Sequence, residues 1–319
     1  MYFDSAGKAS ANRGKAILIL KMMKIVNFQH TRKSKISGVP KTLRVFEDAE
    51  NRRFSCMAKI GFIGTGNMAT ALIRSMKANN EIISSDKNEE KLQKARKELG
   101  IKTTKDNNEV AKSSEIIFLC AKPGDIKEIL QEIKPNAGNK IIVSIAAGIK
   151  IKFIENIIGK NKNIIRVMPN LNCTVAEMAA AFCCNKNIEA DEKESIKNLL
   201  NKAGLALEVE EEKMDAVTAL SGSGPAFVAY ILDAFARAGE KQGLSKEISY
   251  NLALQTLFGT AKLLKETKEN PESLIKRVAS PHGTTIAGLN VLENSKIISI
   301  MEKTIEAAAK RSKELGKDE

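Results

Sequence analysis

The chain has 319 residues, 43% of them hydrophobic, and a formal net charge of +13. This length predicts about two domains, and the composition is ordinary for a globular protein. Aromatic residues make up 4% of the chain and tryptophan is absent, which argues against stacking platforms for single-stranded nucleic acid. Residues 1–57 hold 12 Lys and Arg against 4 Asp and Glu, a net of +8 that leaves +5 for the other residues. We therefore expect no nucleic-acid partner.

The five cysteines form no C-x-x-C pair and no cluster with histidine at metal-ligand spacing, so we expect no metal. An odd number of cysteines in apolar runs favours a reducing compartment, and we expect a cytoplasmic protein. A membrane-spanning helix needs about 20 apolar residues. Uninterrupted apolar runs in this chain are far shorter, so we expect no membrane span.

Residues 1–57 have little regular periodicity and are expected to be mostly disordered. A basic segment that is poor in acids is typical of an organelle transit peptide. A start site placed too far upstream is the alternative that the sequence favours, because an apolar strand follows Met57 at once. Both interpretations stay open.

From residue 58, apolar strand-like runs alternate with helical patterns. The predicted strands are 59–63, 81–85, 115–120, 140–145, 163–167, 179–184 and 205–209, and the helices between them are 68–78, 88–99, 125–133, 150–158 and 191–203. This alternation predicts an α/β domain over residues 58–214, with a Rossmann-type, doubly wound parallel sheet. Beyond it, helices over 216–239, 245–267, 271–278 and 284–316 predict an all-helical domain, 215–319, for substrate binding and dimerisation.

A glycine turn follows the first strand. Gly64, Gly66 and Ala69 form the pattern G-x-G-x-x-A before a helix, and Asp86 ends the second strand about 20 residues later. This context is typical of a dinucleotide site, in which the acid would bind the ribose hydroxyls. Lys87 and Lys91 would meet the 2′-phosphate of NADP(H), or they belong to a solvated helix start. The choice between NADPH and NADH stays open.

Two further loops follow predicted strands and so fall at the same edge of the sheet. Lys122–Pro123 would shape the nicotinamide side, and the small residues of Ala146–Gly148 would let a flat ring approach. In the helical domain, Ser221–Pro225 has two glycines beside a proline. It forms either a wall of the substrate pocket or a packing bend. Near residue 280 a bend precedes Thr284 and Thr285, where a helix start would offer free amides to a carboxylate.

These sequence motifs, together with the segments Arg166–Asn170 and Ala219–Phe227, closely resemble those of the pyrroline-5-carboxylate reductases. The resemblance covers about 260 residues from residue 58. The resemblance implies reduction of 1-pyrroline-5-carboxylate to L-proline with NADPH or NADH, by a homodimer that can assemble into a larger ring. It also implies the residues of both sites. The cofactor residues are Ile63, Gly64, Thr65, Gly66, Asn67, Met68, Asp86, Asn107, Ala121, Lys122, Pro123, Ala146, Ala147 and Gly148, and the substrate residues are Glu177, Thr284 and Thr285. The local sequence pattern adds Ser221 and Gly283 to the substrate residues.

Thr285 is the predicted catalytic residue, with its hydroxyl orienting the ring nitrogen of the imine. The amides of Gly283, Thr284 and Thr285 would hold the substrate carboxylate. Both threonines would also serve as an ordinary helix cap, and the two roles can coexist.

Three positions depart from the family pattern. His282 replaces a usual glycine; it either adds positive charge near the carboxylate or points to solvent. Leu171–Asn172 replace a common Thr-Pro, and Arg277 stands where some members have asparagine, which mildly favours NADPH.

Two other functions remain possible on the sequence. One is a β-hydroxyacid or 6-phosphogluconate-type dehydrogenase, which would need a basic lysine that the Ser221–Pro225 region does not offer. The other is a nucleotide-sensing relative that has lost turnover.

Overall fold

Strands and helices alternate through the first part of the structure, and helices alone complete it. The computed structural model describes residues 57–316, so the disorder predicted for residues 1–57 lies almost wholly outside the described residues. Strands β1–β8 are Ala58–Ile63, Asn80–Ser85, Lys102–Thr104, Ile116–Leu119, Ile141–Ser144, Asn163–Met168, Met178–Cys184 and Gly204–Glu208. Helices α1–α6 are Asn67–Met76, Glu89–Leu99, Asn107–Ser113, Ile126–Ile133, Ile151–Ile158 and Ala190–Asn201. Helices α7–α12 are Met214–Val217, Gly224–Lys241, Lys246–Thr267, Pro271–Val278, Thr284–Glu293 and Ile297–Leu315.

The strands of the described residues form one sheet in the order β3-β2-β1-β4-β5-β6-β7-β8. The Rossmann-type fold followed by a helical domain is thus confirmed. The sheet differs from the prediction at β7, which pairs antiparallel with β6. Only residues 169–177 connect these two strands, which is too short for the crossover that a parallel neighbour requires. Because β8 pairs parallel with β7, the last two strands both run against the others.

The core of the sheet domain consists of continuous apolar strands. Ile60, Phe62 and Phe118 are fully buried, and the rings of Phe62 and Phe118 stack with centroids 4.8 Å apart. Strands that are buried on both faces are typical of a sheet covered by helices on each side. This core holds the carboxyl ends of the parallel strands at one edge.

The structure adds two short elements to the prediction, β3 and α3, and divides two predicted helices. The helix expected over 216–239 is interrupted by a π-turn at Thr218–Gly222. The helix expected over 284–316 is broken between α11 and α12. There the Ser295 hydroxyl donates to Leu292 O and accepts from the Ile297 amide, and such local bonds compete with a continuous helix.

The helical domain buries little of its own surface within one chain. Helix α8 buries only Ala236, and α11 has no buried residue. Large apolar side chains such as Tyr230, Phe258 and Val291 are 78%, 56% and 71% exposed. One helical stretch of the described residues, Glu211–Lys241, is long and apolar enough to cross a membrane, a finding that rests on length and composition alone.

Candidate active site

The glycine turn has the backbone geometry of a phosphate-binding loop. Gly64 adopts φ +96°, and a Cβ there would lie 2.5 Å from the carbonyl oxygen of Cys120, so a side chain is excluded. Gly66 is the N-cap of α1 and has open space around the position of a Cβ. No side chain caps this helix, so its first amides face outward, where an anionic group binds well.

Thr65 connects the glycine turn to the end of β2. Its amide donates to Asp86 Oδ2 at 2.8 Å, and its buried hydroxyl lies 2.7 Å from Ser84 Oγ and donates to Ser85 O at 3.0 Å. Asp86 Oδ1 accepts from the Asn88 amide at 2.9 Å. Both oxygens of Asp86 therefore already hold backbone amides, which adds a structural role to the predicted contact with ribose.

Two lysines lie beside this turn and both are in ion pairs. Lys91 Nζ is 3.6 Å from Asp86 Oδ2, and Lys87 Nζ is 3.6 Å from Glu128 Oε2. These lysines are more than half exposed. Exposed pairs of this kind contribute on the order of 0–1 kcal/mol, so either lysine can exchange its partner for a phosphate.

Asn107 lies at the same edge of the sheet, at the start of α3. Its Oδ1 accepts from Ser85 Oγ at 2.7 Å, and its Nδ2 donates to Glu132 Oε2 at 2.7 Å. The hydrogen bond with Ser85 joins Asn107 to the end of β2. The structure thus brings Asn107 beside the Asp86 region, as the predicted cofactor site requires.

The loop after β4 borders the glycine turn directly. The Cys120 amide donates to Ile63 O at 2.7 Å, and Ala121, Lys122 and Pro123 follow, with Pro123 opening a 3₁₀ turn. Burial raises the pKa of the Cys120 thiol far above its ordinary value. The thiol stays protonated at neutral pH, so this edge offers no thiolate nucleophile.

The loop after β5 completes this edge. Ala146 is buried, Ala147 is exposed, and Gly148 adopts φ +84°. Gly148 also touches the end of the last helix, because a Cβ on it would lie 3.5 Å from the Gly316 amide nitrogen. The small residues of this loop carry little side-chain bulk, which leaves the predicted approach of a planar ring sterically open.

Ser221 lies on the π-turn that begins the helical domain, and Asn170 ties it to the sheet. The buried Asn170 donates from Nδ2 to Ser221 O at 3.1 Å and accepts at Oδ1 from the Ala179 amide at 3.1 Å. Gly222 lies against Met168, whose Cε would be 2.6 Å from a Cβ. A side chain at position 222 would thus collide with Met168, and π-turns of this kind are frequent at functional sites.

Glu177 follows a residue in an unusual conformation. Ala176 has φ +60°, a region that alanine rarely adopts. The Glu177 carboxylate then pairs with Lys265 of α9 at 2.9 Å, and both side chains are exposed. The carboxylate therefore projects from the sheet domain toward the helical domain of the same chain.

The segment before α11 has the geometry expected of an anion clamp. Gly283 is the N-cap of α11 and no side chain caps the helix, so the amides of Thr284, Thr285 and Ile286 lack side-chain partners. Within residues 57–316 neither threonine hydroxyl donates a hydrogen bond. His282 is exposed with φ +59°, a conformation that explains why glycine suits this position.

The residues predicted for the cofactor site lie on neighbouring loops at one edge of the sheet, and in the part of the chain that the structure describes the threonine segment has no polar contact with the glycine turn. Within residues 57–316, no hydrogen bond or ion pair joins residues 280–285 to the glycine turn. Arg277 is also engaged, in a two-point pair with Glu269 at 2.6 and 3.3 Å. The suggestion that Arg277 favours NADPH therefore gains no support from the single chain.

Arg166 has a structural role that was not predicted from the sequence. This residue is 5% exposed in β6, and its Nη1 is 3.2 Å from Glu211 Oε1. The same oxygen accepts from the Ile151 amide at 2.8 Å. A charged residue inside an apolar strand is a signal that would have identified this buried pair, because arginine is rarely buried without a partner.

Two family models match the chain. Residues 59–148 match the NADP oxidoreductase, coenzyme F420-dependent family, and residues 211–315 match the pyrroline-5-carboxylate reductase dimerisation family. The first range runs from β1, through the glycine turn, to the loop after β5, and the second covers nearly all of the helical domain.

Several relatives match most of the chain. A pyrroline-5-carboxylate reductase of Aquifex aeolicus is 42% identical over 260 residues, 81% of this chain and 97% of the relative. The solved pyrroline-5-carboxylate reductase of Coxiella burnetii is 33% identical with a TM-score of 0.78, covering 81% of this chain and 98% of the other. The Plasmodium falciparum pyrroline carboxylate reductase, solved with NADP bound, is 32% identical with a TM-score of 0.71 and covers the same shares.

Proposed function

The chain belongs to the pyrroline-5-carboxylate reductase family, and from that membership we infer that it reduces 1-pyrroline-5-carboxylate to L-proline with NAD(P)H, in the last step of proline biosynthesis. The observation that carries this inference is the joint presence of both family parts in one chain. Residues 59–148 match an NADP-dependent oxidoreductase family and residues 211–315 match the reductase's own dimerisation domain.

The nucleotide would bind along the edge that runs from the glycine turn to Gly148. The residues fit it: Gly64 makes the turn, the open space at Gly66 admits a phosphate, and the uncapped start of α1 attracts it. When bound, NAD(P)H supplies the hydride. Ala121–Pro123 and Ala146–Gly148 would position its nicotinamide ring.

We propose NADPH as the preferred form. An acidic residue at the position of Asp86 commonly favours NADH in such folds, because its charge repels a 2′-phosphate. Here both Asp86 oxygens accept backbone amides and Lys91 lies 3.6 Å away, which offsets that charge. Lys87 and Lys91 would then bind the phosphate.

Thr284 and Thr285 would hold the substrate. The amides at the start of α11 would bind its carboxylate, and the Thr285 hydroxyl would contact the ring nitrogen. A protonated imine is already electrophilic, so the chain's task is to orient it and exclude water. Glu177 and Ser221 would border the same pocket.

A second copy of the chain would complete this pocket. Helix α11 buries no residue in one chain, and its segment 280–285 has no bond to the glycine turn within residues 57–316. The family model of this region is a dimerisation domain. We propose that the exposed apolar helices pair with a partner subunit rather than with a membrane, that dimers assemble into a larger ring, and that the enzyme is cytoplasmic. The boundary between the domains at residues 214 and 215 stays a prediction.

A direct assay tests this function. Purified residues 57–319 should oxidise NADPH when pyrroline-5-carboxylate is added and form proline. Oxidation of a β-hydroxyacid with NADP⁺ in place of this reaction would contradict the proposed function. Nucleotide binding with no turnover of either substrate would contradict it as well. Mixing a Thr285→Ala chain with a Gly66→Trp chain should restore part of the activity if each pocket uses both subunits.

A further inference from the structure

The loop after β5, residues 145–150, is held at two separate points by residues that follow the last strand of the sheet. At its end, the Ile151 amide donates to Glu211 Oε1 at 2.8 Å. At its turn, Gly148 packs against the end of α12, because a Cβ on Gly316 would lie 3.2 Å from Gly148 O. Both Glu211 and Gly316 lie beyond the last strand of the sheet. These contacts add to those that the loop makes with the sheet, where the Ile145 amide donates to Leu119 O at 3.2 Å and Ile149 is buried.

The two holding points are themselves connected. Glu211 opens the 3₁₀ turn that leads into α7, and Asp215 lies in the first turn of that helix. Asp215 Oδ1 accepts a hydrogen bond from the Ser312 hydroxyl of α12 at 2.6 Å. Ser312 is 6% exposed and lies one helical turn before Gly316. The contacts therefore form a closed ring from the loop through α7 and α12 back to the loop.

The ring of contacts is rigid at both points where it holds the loop. Glu211 is fixed a second time by the buried Arg166 at 3.2 Å. Gly148 and Gly316 touch backbone to backbone with no side chain between them. A shift of α12 along its axis would thus press directly on the loop, since no flexible side chain can absorb it.

We propose that Ser312 is a positioning residue for hydride transfer. Its hydrogen bond to Asp215 fixes the position of α12 along the helix axis, and the end of α12 in turn holds the Gly148 loop against the nicotinamide ring. This inference rests on the proposed function, because it places the reacting ring beside Gly148. Hydride transfer is sensitive to displacements of about 1 Å. The last helix of the dimerisation domain thereby controls the geometry of the cofactor edge.

The test compares two substitutions that disturb the ring differently. Ser312→Ala removes the bond that fixes α12, and Gly316→Ala leaves that bond but pushes a methyl group against Gly148 O. We expect each to lower kcat by about threefold to tenfold with the KM for pyrroline-5-carboxylate nearly unchanged. The deuterium isotope effect measured with NADPH labelled at the transferred position should rise, because hydride transfer becomes slower.

Controls separate positioning from general damage. Ser312→Thr and Asp215→Asn keep a donor and an acceptor at the bond and should retain wild-type kcat. Thr304→Ala removes a hydroxyl that bonds only within α12, to Ile300 O at 2.8 Å, and should also leave kcat unchanged. The molar mass of the assembly that each variant forms is measured by light scattering, so that loss of activity through dissociation is recognised.

Wild-type kcat and isotope effect in both Ser312→Ala and Gly316→Ala would overturn the inference while leaving the proposed function intact. A fall in kcat that follows dissociation alone would overturn it as well. If Ser312→Ala does not fold, Gly316→Ala decides the matter. Failure of the unmodified protein to reduce pyrroline-5-carboxylate would instead refute the proposed function.

Discussion

The sheet domain and the helical domain differ in how they acquire a core. The sheet domain buries its strands within one chain, and Ile60, Phe62 and Phe118 are inaccessible to solvent. In the helical domain α11 buries nothing, and Tyr230 and Phe258 remain largely exposed. One region is complete by itself and the other needs a partner. The proposed site draws residues from both regions, so under that proposal its chemistry would depend on assembly.

The largest effect should come from preventing assembly. Phe258→Glu places a charge on the apolar face of α9, where a second copy would desolvate it at high cost. We expect monomers and a fall in activity of more than about 100-fold, with nucleotide binding largely kept. Light scattering and NADPH fluorescence measure the two properties. Leu205→Glu, at an equally exposed residue of β8, is the matched control and should remain an active dimer.

The glycine turn offers a contrast within the self-sufficient domain. Gly64→Ala combines φ +96° with a Cβ 2.5 Å from Cys120 O, and should lower the free energy of unfolding by about 2–4 kcal/mol. Gly66→Ala meets open space, so it should keep the stability and lose nucleotide affinity. Urea unfolding and NADPH titration distinguish them. Equal stability in the two variants would refute the structural role of Gly64.

The substrate side should respond in turnover rather than in stability. Thr285→Ala should lower kcat by about 10- to 100-fold, the effect of about 1.4–2.8 kcal/mol in the transition state. Thr285→Ser keeps the hydroxyl and should retain much of the wild-type kcat. Thr267→Ala, which removes a hydroxyl bonded only to Leu263 O, is the control. An unchanged rate in Thr285→Ala would rule out its catalytic role.

The smallest effect should concern the choice of nucleotide. Lys91→Ala should raise the KM for NADPH by about threefold to tenfold, since one exposed cation–phosphate contact contributes on the order of 1 kcal/mol. The KM for NADH should stay nearly constant. Lys97→Ala, on the last turn of the same helix, controls for net charge. A parallel rise with both nucleotides would show that Lys91 does not recognise the 2′-phosphate.

Local patterns were enough to predict most of the sheet domain. The apolar runs located seven of the strands to within about two residues, and the turn at Gly64 with Asp86 predicted the nucleotide edge. Strand β3 was missed because Lys102–Thr104 is short and polar. The reversal of β7 was also missed, although the nine residues between Met168 and Met178 leave no room for a crossover helix.

The candidate site was predictable in its residues and less so in their contacts. The sequence pointed to Asp86, but only the structure shows its carboxylate bound to the Thr65 amide. The ties from Asn170 to Ser221 and from Lys265 to Glu177 span 51 and 88 residues. Periodicity describes neighbours along the chain, so it carries no information about pairs at such separations.

The sequence by itself determined the order of the longer elements, the glycine turn and the free helix start at Thr284, because each follows from local sterics and from the periodicity of apolar residues. Only the tertiary structure decided that Arg166, Glu211 and Ile151 meet, and that the end of the last helix touches Gly148. Such contacts depend on how separate elements pack. That packing is set by the whole core at once and not by any one segment.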